Sequence, residues 1–362
     1  MGISQTLYRA ACIPAMQNKL FSTRAEALTA PSASLELCQD GTGLVFNRLF
    51  DPAVVTYDDS YQNDQGYSLQ FQAHLDEVCE LCCGFLSSKE SLVVDVGCGK
   101  GGFVELLRRK EINAIGYDNA YQGVSPYIRK TFFNIDSHDH GDLLTLRHVL
   151  EHIPSPWQFL DGIAAANGYQ GLLYVEVPDL EWILEHRAYF DLFHEHVNYF
   201  HADDFSRRFR DGLIFQSKSF GGQYLSTIIN LECMRDLGKA SVPCDSNSAL
   251  QRAFSKLSEY EDKTYASLAD NHEIVIWGAA AKGVVFAAKA PPAIKSKITY
   301  AIDINPNKQG YFMPISGVEV LDPATGVTRL DLSSLVVIMN PNYEQEIRGS
   351  LPRNQPCLVL HQ

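Results

Sequence analysis

The feature that most narrows what this chain can fold into is a change of hydrophobic period at Leu92. Before it, Leu69, Phe71, Leu75, Val78, Cys79, Cys82 and Leu86 recur at roughly helical spacing and predict a helix over 64–88. Leu92-Val93-Val94-Asp95-Val96 is then a mostly apolar run that breaks into Gly97-Cys98-Gly99-Lys100-Gly101, and Phe103, Val104, Leu106 and Leu107 restore a helical period. A strand that passes through a glycine-rich turn straight into a helix is the building unit of a buried parallel sheet. Strand-like runs recur at 114–118, 143–146 and 171–177, separated by helical stretches, so an α/β doubly wound sheet is expected. Leu213-Ile214-Phe215 and Tyr224 to Ile229 read as a closing strand pair around Gly221-Gly222.

A helix over 246–270, with Leu250, Phe254, Leu257 and Tyr260 on one face, links this unit to a second one. There the strand 273–277 precedes Gly278-Ala279-Ala280-Ala281-Lys282-Gly283, and 298–303 and 335–339 are further strands. Residues 1–60 carry short apolar runs broken by turn residues and read as a small irregular module. The expected division is therefore 1–62, 63–235 and 236–362, in keeping with two to three domains in 362 residues.

Charge excludes one class of partner. With 30 Lys and Arg against 43 Asp and Glu, the net charge of −13 offers no footprint for a phosphate backbone, which argues against nucleic acid. No apolar run reaches the ~18 residues of a membrane-spanning helix, and no secretory signal is evident. Met1-Gly2-Ile3-Ser4-Gln5-Thr6 matches an acylation pattern, but no polybasic patch supports an anchor. Nine cysteines, an odd number without scaffold spacing, fit a reducing cytoplasm.

The glycine turn carries the first chemistry. Asp118 ends the next strand 23 residues after Asp95, where a carboxylate can accept both hydroxyls of a ribose, with Asn119 beside it. The pattern is D-x-G-x-G-x-G rather than the dinucleotide G-x-G-x-x-G. An acid at the end of the strand would repel a pyrophosphate but can hold an amino-acid ammonium. That chemistry points to S-adenosylmethionine, with Asp95, Gly97, Gly99, Gly101, Asp118, Asn119 and Arg147 as its binding residues. Arg147 to Pro154 follows a strand end and is expected to flank the reacting sulfonium.

On these residues the sequence resembles the class I S-adenosylmethionine-dependent methyltransferases, and more narrowly the nucleotide-sugar C-methyltransferases. The resemblance rests on Asp95–Gly101, Arg147-His148-Val149-Leu150-Glu151-His152-Ile153-Pro154 and Glu176-Val177-Pro178-Asp179. It rests further on Phe193-His194-Glu195-His196-Val197-Asn198-Tyr199-Phe200, on Gly278–Gly283 and on Asp303–Gly310. It implies an N-terminal zinc-type module, a central methyltransferase domain and a C-terminal Rossmann-like domain enclosing a nucleotide sugar. It also implies methylation of a carbon next to a ketone, through an enolate raised by a base. His196 matches the family's base, with Glu195 and His194 beside it and His152 near the reacting centre; Lys282, Asn198 and Tyr199 are candidates for the substrate. Methyl transfer to oxygen or to another carbon acid, and a catalytically silent relative, are the other readings.

The chain departs from the family at two points. Phe193 stands where members commonly carry Tyr. Of two expected Cys-x-x-Cys pairs only Cys12 and Cys38 remain, and two thiolates cannot close a tetrahedral site, which argues against zinc and any other metal. Cys79, Cys82 and Cys83 read as small buried hydrophobes in a helix.

Overall fold

The computed structural model describes residues 5–56, 61–62, 65–236 and 248–360. The acylation-type residues 1–4, the boundary at 63 and the opening of the expected helices at 64 and 246 lie outside them. In chain order, β1 (Thr6–Pro14), α1 (Arg24–Leu28), β2 (Ser32–Gln39) and β3 (Val45–Asn47) come first. Then follow α2 (Leu69–Cys83), β4 (Leu92–Val96), α3 (Gly102–Arg109), β5 (Asn113–Tyr117), β6 (Ile128–Arg129) and β7 (Leu143–Arg147). After α4 (Pro156–Ala166) come β8 (Leu172–Pro178), α5 (Leu180–Glu185), β9 (Asn198–Tyr199), α6 (Ala202–Phe209), β10 (Leu213–Ser219) and β11 (Tyr224–Asn230). α7 (Ser248–Ser267) leads to β12 (Glu273–Trp277), α8 (Ala281–Lys289), β13 (Ile298–Ile302), β14 (Glu319–Leu321), β15 (Ser334–Ile338) and β16 (Cys357–Val359).

The central sheet has the order β10-β11-β8-β7-β4-β5-β6, with β11 antiparallel to both neighbours and β4 to β8 parallel. From β4 the chain winds outward to β6, then returns to β7 on the other side of β4. The switch point therefore lies between β4 and β7, where ligands bind in such sheets. The C-terminal sheet, β14-β13-β12-β15-β16, is wholly parallel and switches between β12 and β15. Strands β4 and β12 and the closing pair follow from their apolar runs; β6, β14 and β16 are too short to leave a pattern.

The N-terminal module is not irregular. β1, β2 and β3 form an antiparallel sheet, and β9 from the middle of the chain adds a fourth strand. Leu35 to Cys38 are all buried, so the alternation that marks a strand is missing from the sequence. Glu36 is buried among them because Thr6, Arg9 and Arg48 all donate to its carboxylate, which holds its pKa down to about 2. Cys38 lies opposite Thr6 while Cys12 lies beside the Ile13–Ala33 pair, at the other end of the ladder. At ~3.3 Å per residue the two thiols are roughly 20 Å apart and cannot share an ion. Cys79 and Cys82 are wholly buried in α2, packed on Val93, Val104 and Leu107.

One core runs across the N- and C-terminal parts: Tyr8, Ile13, Leu35 and Leu37 pack with Phe254, Leu257 and Phe286. Tyr8 donates to Glu261 of α7 at 2.7 Å, and Lys289 of α8 bonds both. The division 1–62, 63–235, 236–362 stands as our proposal, with the qualification that the first part completes its sheet with β9. Among the described residues no helix is long and apolar enough to cross a membrane.

α8 starts close over its own turn. A Cβ on Gly283 would lie 1.9 Å from the Gly278 carbonyl oxygen, whereas one on Gly349, in the last helix, would meet nothing within 4 Å. Gly283→Ala is expected to lower stability by roughly 1–3 kcal/mol, while Gly349→Ala is neutral or stabilising by up to ~1 kcal/mol. Urea unfolding of the two variants measures the difference.

Candidate functional site

The carboxyl ends of the central and C-terminal sheets face a common cleft of about 910 Å³. One wall is the β4 turn, with Asp95, Gly97 and Gly99, and the ends of β7, with Arg147 and His148. The opposite wall is the β12 turn and the start of α8, with Gly278 and Lys282. His152 and His196 line the space between them.

Asp95 is 3% exposed, and Thr145 donates to it at 2.6 Å. Burial raises its pKa to about 6, against the pull of Thr145 and Arg147. A buried carboxylate on a ligand cleft is a receptor for a cation. Gly97 has φ +73°, and a Cβ there would strike Val149 at 2.5 Å. At Gly99 a Cβ would meet no protein atom within 4 Å, so the turn leaves its amide face open to a ligand. These residues fit an amino-acid ammonium and carboxylate, as S-adenosylmethionine carries.

Asp118 accepts from the Gly99 and Ala120 amides, both at 2.8 Å, and so braces the turn while retaining acceptor capacity. Asn119 is exposed, and Gly101 backs onto Ile128 rather than the cleft.

Beneath the cleft floor lies Glu176, fully buried in β8. Arg147 donates to it at 3.0 and 3.2 Å, Tyr174 at 2.9 Å, and the rings of His148 and His74 stand 3.2 and 3.1 Å away. Against the effect of burial, Arg147, His148 and His74 hold its carboxyl well below the usual range. His148 also faces Glu151 at 3.4 Å. Burial alone would lower the His148 pKa, but the two carboxylates reverse this and push it up to about 9.

The histidines of the 193–200 segment divide sharply. His196 is 8% exposed on the cleft, with its ring against Phe193 at 4.8 Å and His152 at 5.0 Å. Burial, then the neighbouring His152, pushes its pKa down to about 3, so the imidazole is neutral and able to accept a proton. His152 Nδ1 is bonded to the Glu195 carbonyl at 3.1 Å, which fixes its ring.

His194 has no nitrogen left for catalysis. One faces the Ser34 carbonyl at 2.9 Å and the other accepts from the Asp51 amide at 3.3 Å, so it ties this loop to the N-terminal module. Glu195 is likewise buried away from the cleft wall and accepts from the Gln17 amide at 2.7 Å. Asn198 donates to the Ile153 carbonyl at 2.6 Å, and the Tyr199 hydroxyl bridges the Phe193 amide and carbonyl. Neither lines the cleft; both shape the loop that carries His196. Lys282 does line it, 2.8 Å from Asp191 and over the Trp182 ring, and burial lowers its pKa against the pull of Asp191.

Residues 71–211 match a family model described as a methyltransferase domain, and 251–355 one described as a C-methyltransferase C-terminal domain. The central domain is thus a class I S-adenosylmethionine-dependent methyltransferase domain, joined to the C-terminal domain of C-methyltransferases. Its cofactor is S-adenosylmethionine.

The C-methyltransferase NovU of Streptomyces niveus is 28% identical over 152 residues, which cover 38% of this chain and 36% of that protein. The match therefore spans about a third of the curated relative. Solved structures with a similar fold include CalO1, a methyltransferase in calicheamicin biosynthesis, in its SAH-bound form, at 15% identity. That likeness covers 44% of this chain and 54% of CalO1, with a TM-score of 0.34. Another is the Burkholderia thailandensis 1,6-didemethyltoxoflavin-N1-methyltransferase, at 12% identity and TM-score 0.35, covering 51% of this chain and 94% of that one.

Sequence reasoning passed over His148, Glu151, His74 and Asp191. His148 and Glu151 stand in the block Arg147–Pro154, and their charge pattern was the available signal; His74 and Asp191 carried none.

Because Asp95 must be ionised to pair with an ammonium, affinity for S-adenosylmethionine should fall as pH drops below about 6 and level off above it. Calorimetry between pH 5 and 8 reads this directly. Asp95→Asn should weaken binding roughly 10- to 100-fold at pH 8 and remove the pH dependence, as expected for loss of a charged hydrogen bond.

Proposed function

We propose that the chain transfers a methyl group from S-adenosylmethionine to a carbon acid, the carbon beside a ketone in a nucleotide-activated deoxysugar. The observation that carries this reading is the shared cleft: Asp95 and Gly99, His196 and Lys282 belong to different parts of the chain yet line the same space. Similarity to a protein named as a C-methyltransferase supports carbon as the acceptor. The absence of paired cysteines among the described residues is consistent with a reducing cytoplasm.

In this reading Asp95 pairs with the cofactor's ammonium, Gly97 and Gly99 admit it to the backbone, and Asp118 with Asn119 meets the ribose edge. When bound, the cofactor supplies an electrophilic methyl group. Arg147 and His148 form the floor beside the reacting centre. Lys282 and the amides at the start of α8 offer positive charge to a diphosphate. His196, neutral in its buried position, takes the carbon-bound proton, and His152 is the second polar group beside the reacting carbon. Phe193 keeps water from the His196 ring.

Calorimetry with S-adenosylmethionine and then with TDP tests the two halves of the site. Labelled methyl transfer to a TDP-4-keto-6-deoxyhexose follows, and His196→Ala should lower it ~100-fold or more with cofactor affinity within about twofold. Undiminished transfer by that variant overturns the base assignment. Cofactor binding without TDP binding moves the acceptor to another small molecule, methylated on oxygen or on a different carbon.

A further inference from the structure

A base that takes a proton inside a buried site becomes a buried cation, which costs several kcal/mol unless an anion stands near. The groups facing His196 are Phe193 and Tyr199 from its own loop, and Glu151 and His152 from the turn after β7, with His148 acting by charge. Among them only Glu151 is an anion.

Glu151 is 1% exposed. Its ligand oxygen and one ring nitrogen each of His152 and His196 lie within 4.8 Å of one another. Its Oε1 faces His148, while its Oε2 is buried without a hydrogen-bond partner among the described residues. Its carbonyl accepts from the Val197 amide at 2.7 Å, which pins the His196 segment to the same turn.

His148 is held in turn. Its φ of +53° is unusual for a residue with a side chain, and its amide donates to the Glu176 carbonyl at 2.9 Å. That conformation sets its ring between Glu151 and Glu176.

We propose that Glu151 is a positioning residue for proton abstraction: it is the buried counter-ion of His196, held in place by the His148–Glu176 pair. This rests on His196 being the base. The C–H bond beside the ketone breaks, its proton goes to a His196 nitrogen, and its electron pair moves into the new C=C as the ketone oxygen takes the negative charge. Arg147 and His148 balance Glu151 and Glu176 beforehand, so the one added positive charge faces the one new negative charge across the cleft. That balance also disfavours the other occupant that two imidazoles and a carboxylate invite. A divalent cation would bring two charges to a cluster with no net negative charge to receive them.

The test separates proton abstraction from methyl transfer by following solvent deuterium exchange beside the ketone of a TDP-4-keto-6-deoxyhexose, with S-adenosylhomocysteine bound. Wild type should exchange. Glu151→Gln should slow exchange ~100-fold and move the rising limb of the pH profile to lower pH, with KM and S-adenosylhomocysteine affinity within about twofold. Glu151→Asp should retain part of the rate, and added formate should restore part of it to Glu151→Ala. If Glu151→Gln proves unstable, the Asp variant and the formate experiment decide the matter. Exchange in wild type that is unchanged in the Gln variant, or lost without limb shift or rescue, overturns the counter-ion role alone. Wild-type exchange abolished by a chelator and restored by Zn²⁺ or Mn²⁺ overturns it in favour of a metal. No exchange in wild type overturns the carbon-acid reading, and the counter-ion role with it.

Discussion

Much of the site depends on one buried carboxylate. Glu176 lies in the middle of the central sheet, paired with Arg147 on one side and Ser226 on the other. An unpaired charge there would cost several kcal/mol, so its partners are not optional. They come from β7 and its exit (Arg147, His148), α2 (His74) and β8 itself (Tyr174). Satisfying Glu176 thus fixes where α2 lies and which way the chain leaves β7. It leaves through a left-handed residue, His148, and the short turn that follows brings Glu151 and His152 to the cleft.

The cleft is assembled by parts that do not fold around it independently. The segment that bears His196 is held by the N-terminal sheet through β9 and through His194, and by the β7 exit turn through Asn198 and Val197. The N-terminal sheet shares its core with α7 and α8, which present Lys282 from the far side. A module that has lost half of the expected thiols therefore still braces the loop and joins the two parallel sheets. Glu36 and its two arginines supply charge neutralisation within the N-terminal sheet.

Both parallel sheets repeat one local device. Asp118 accepts from the Gly99 amide, and Asp303 accepts from the Ala279 amide at 2.8 Å, each closing the turn of the preceding strand. The acid at the end of the second strand was legible as a ribose ligand in the first unit. Its bond to the turn was not, because that bond joins residues 19 and 24 positions apart whose approach depends on strand pairing.

What the sequence determined by itself is what short-range geometry controls. The apolar run of β4, the glycines that follow and the helical period of α3 are set within a few residues of one another, and they fix the turn and Asp95. The same holds for β12 and for the closing pair β10–β11. Tertiary structure decided which of the acids and histidines meet. His194 and His196 stand two residues apart in a segment with no period to tell them apart. One is consumed by Ser34 and Asp51, and the other is left facing the cleft. Glu151 and His148 become a charge relay only because Glu176 arrives from the neighbouring strand. The partners of a buried charge are selected by the cost of leaving it unpaired, and that selection is made in the folded chain.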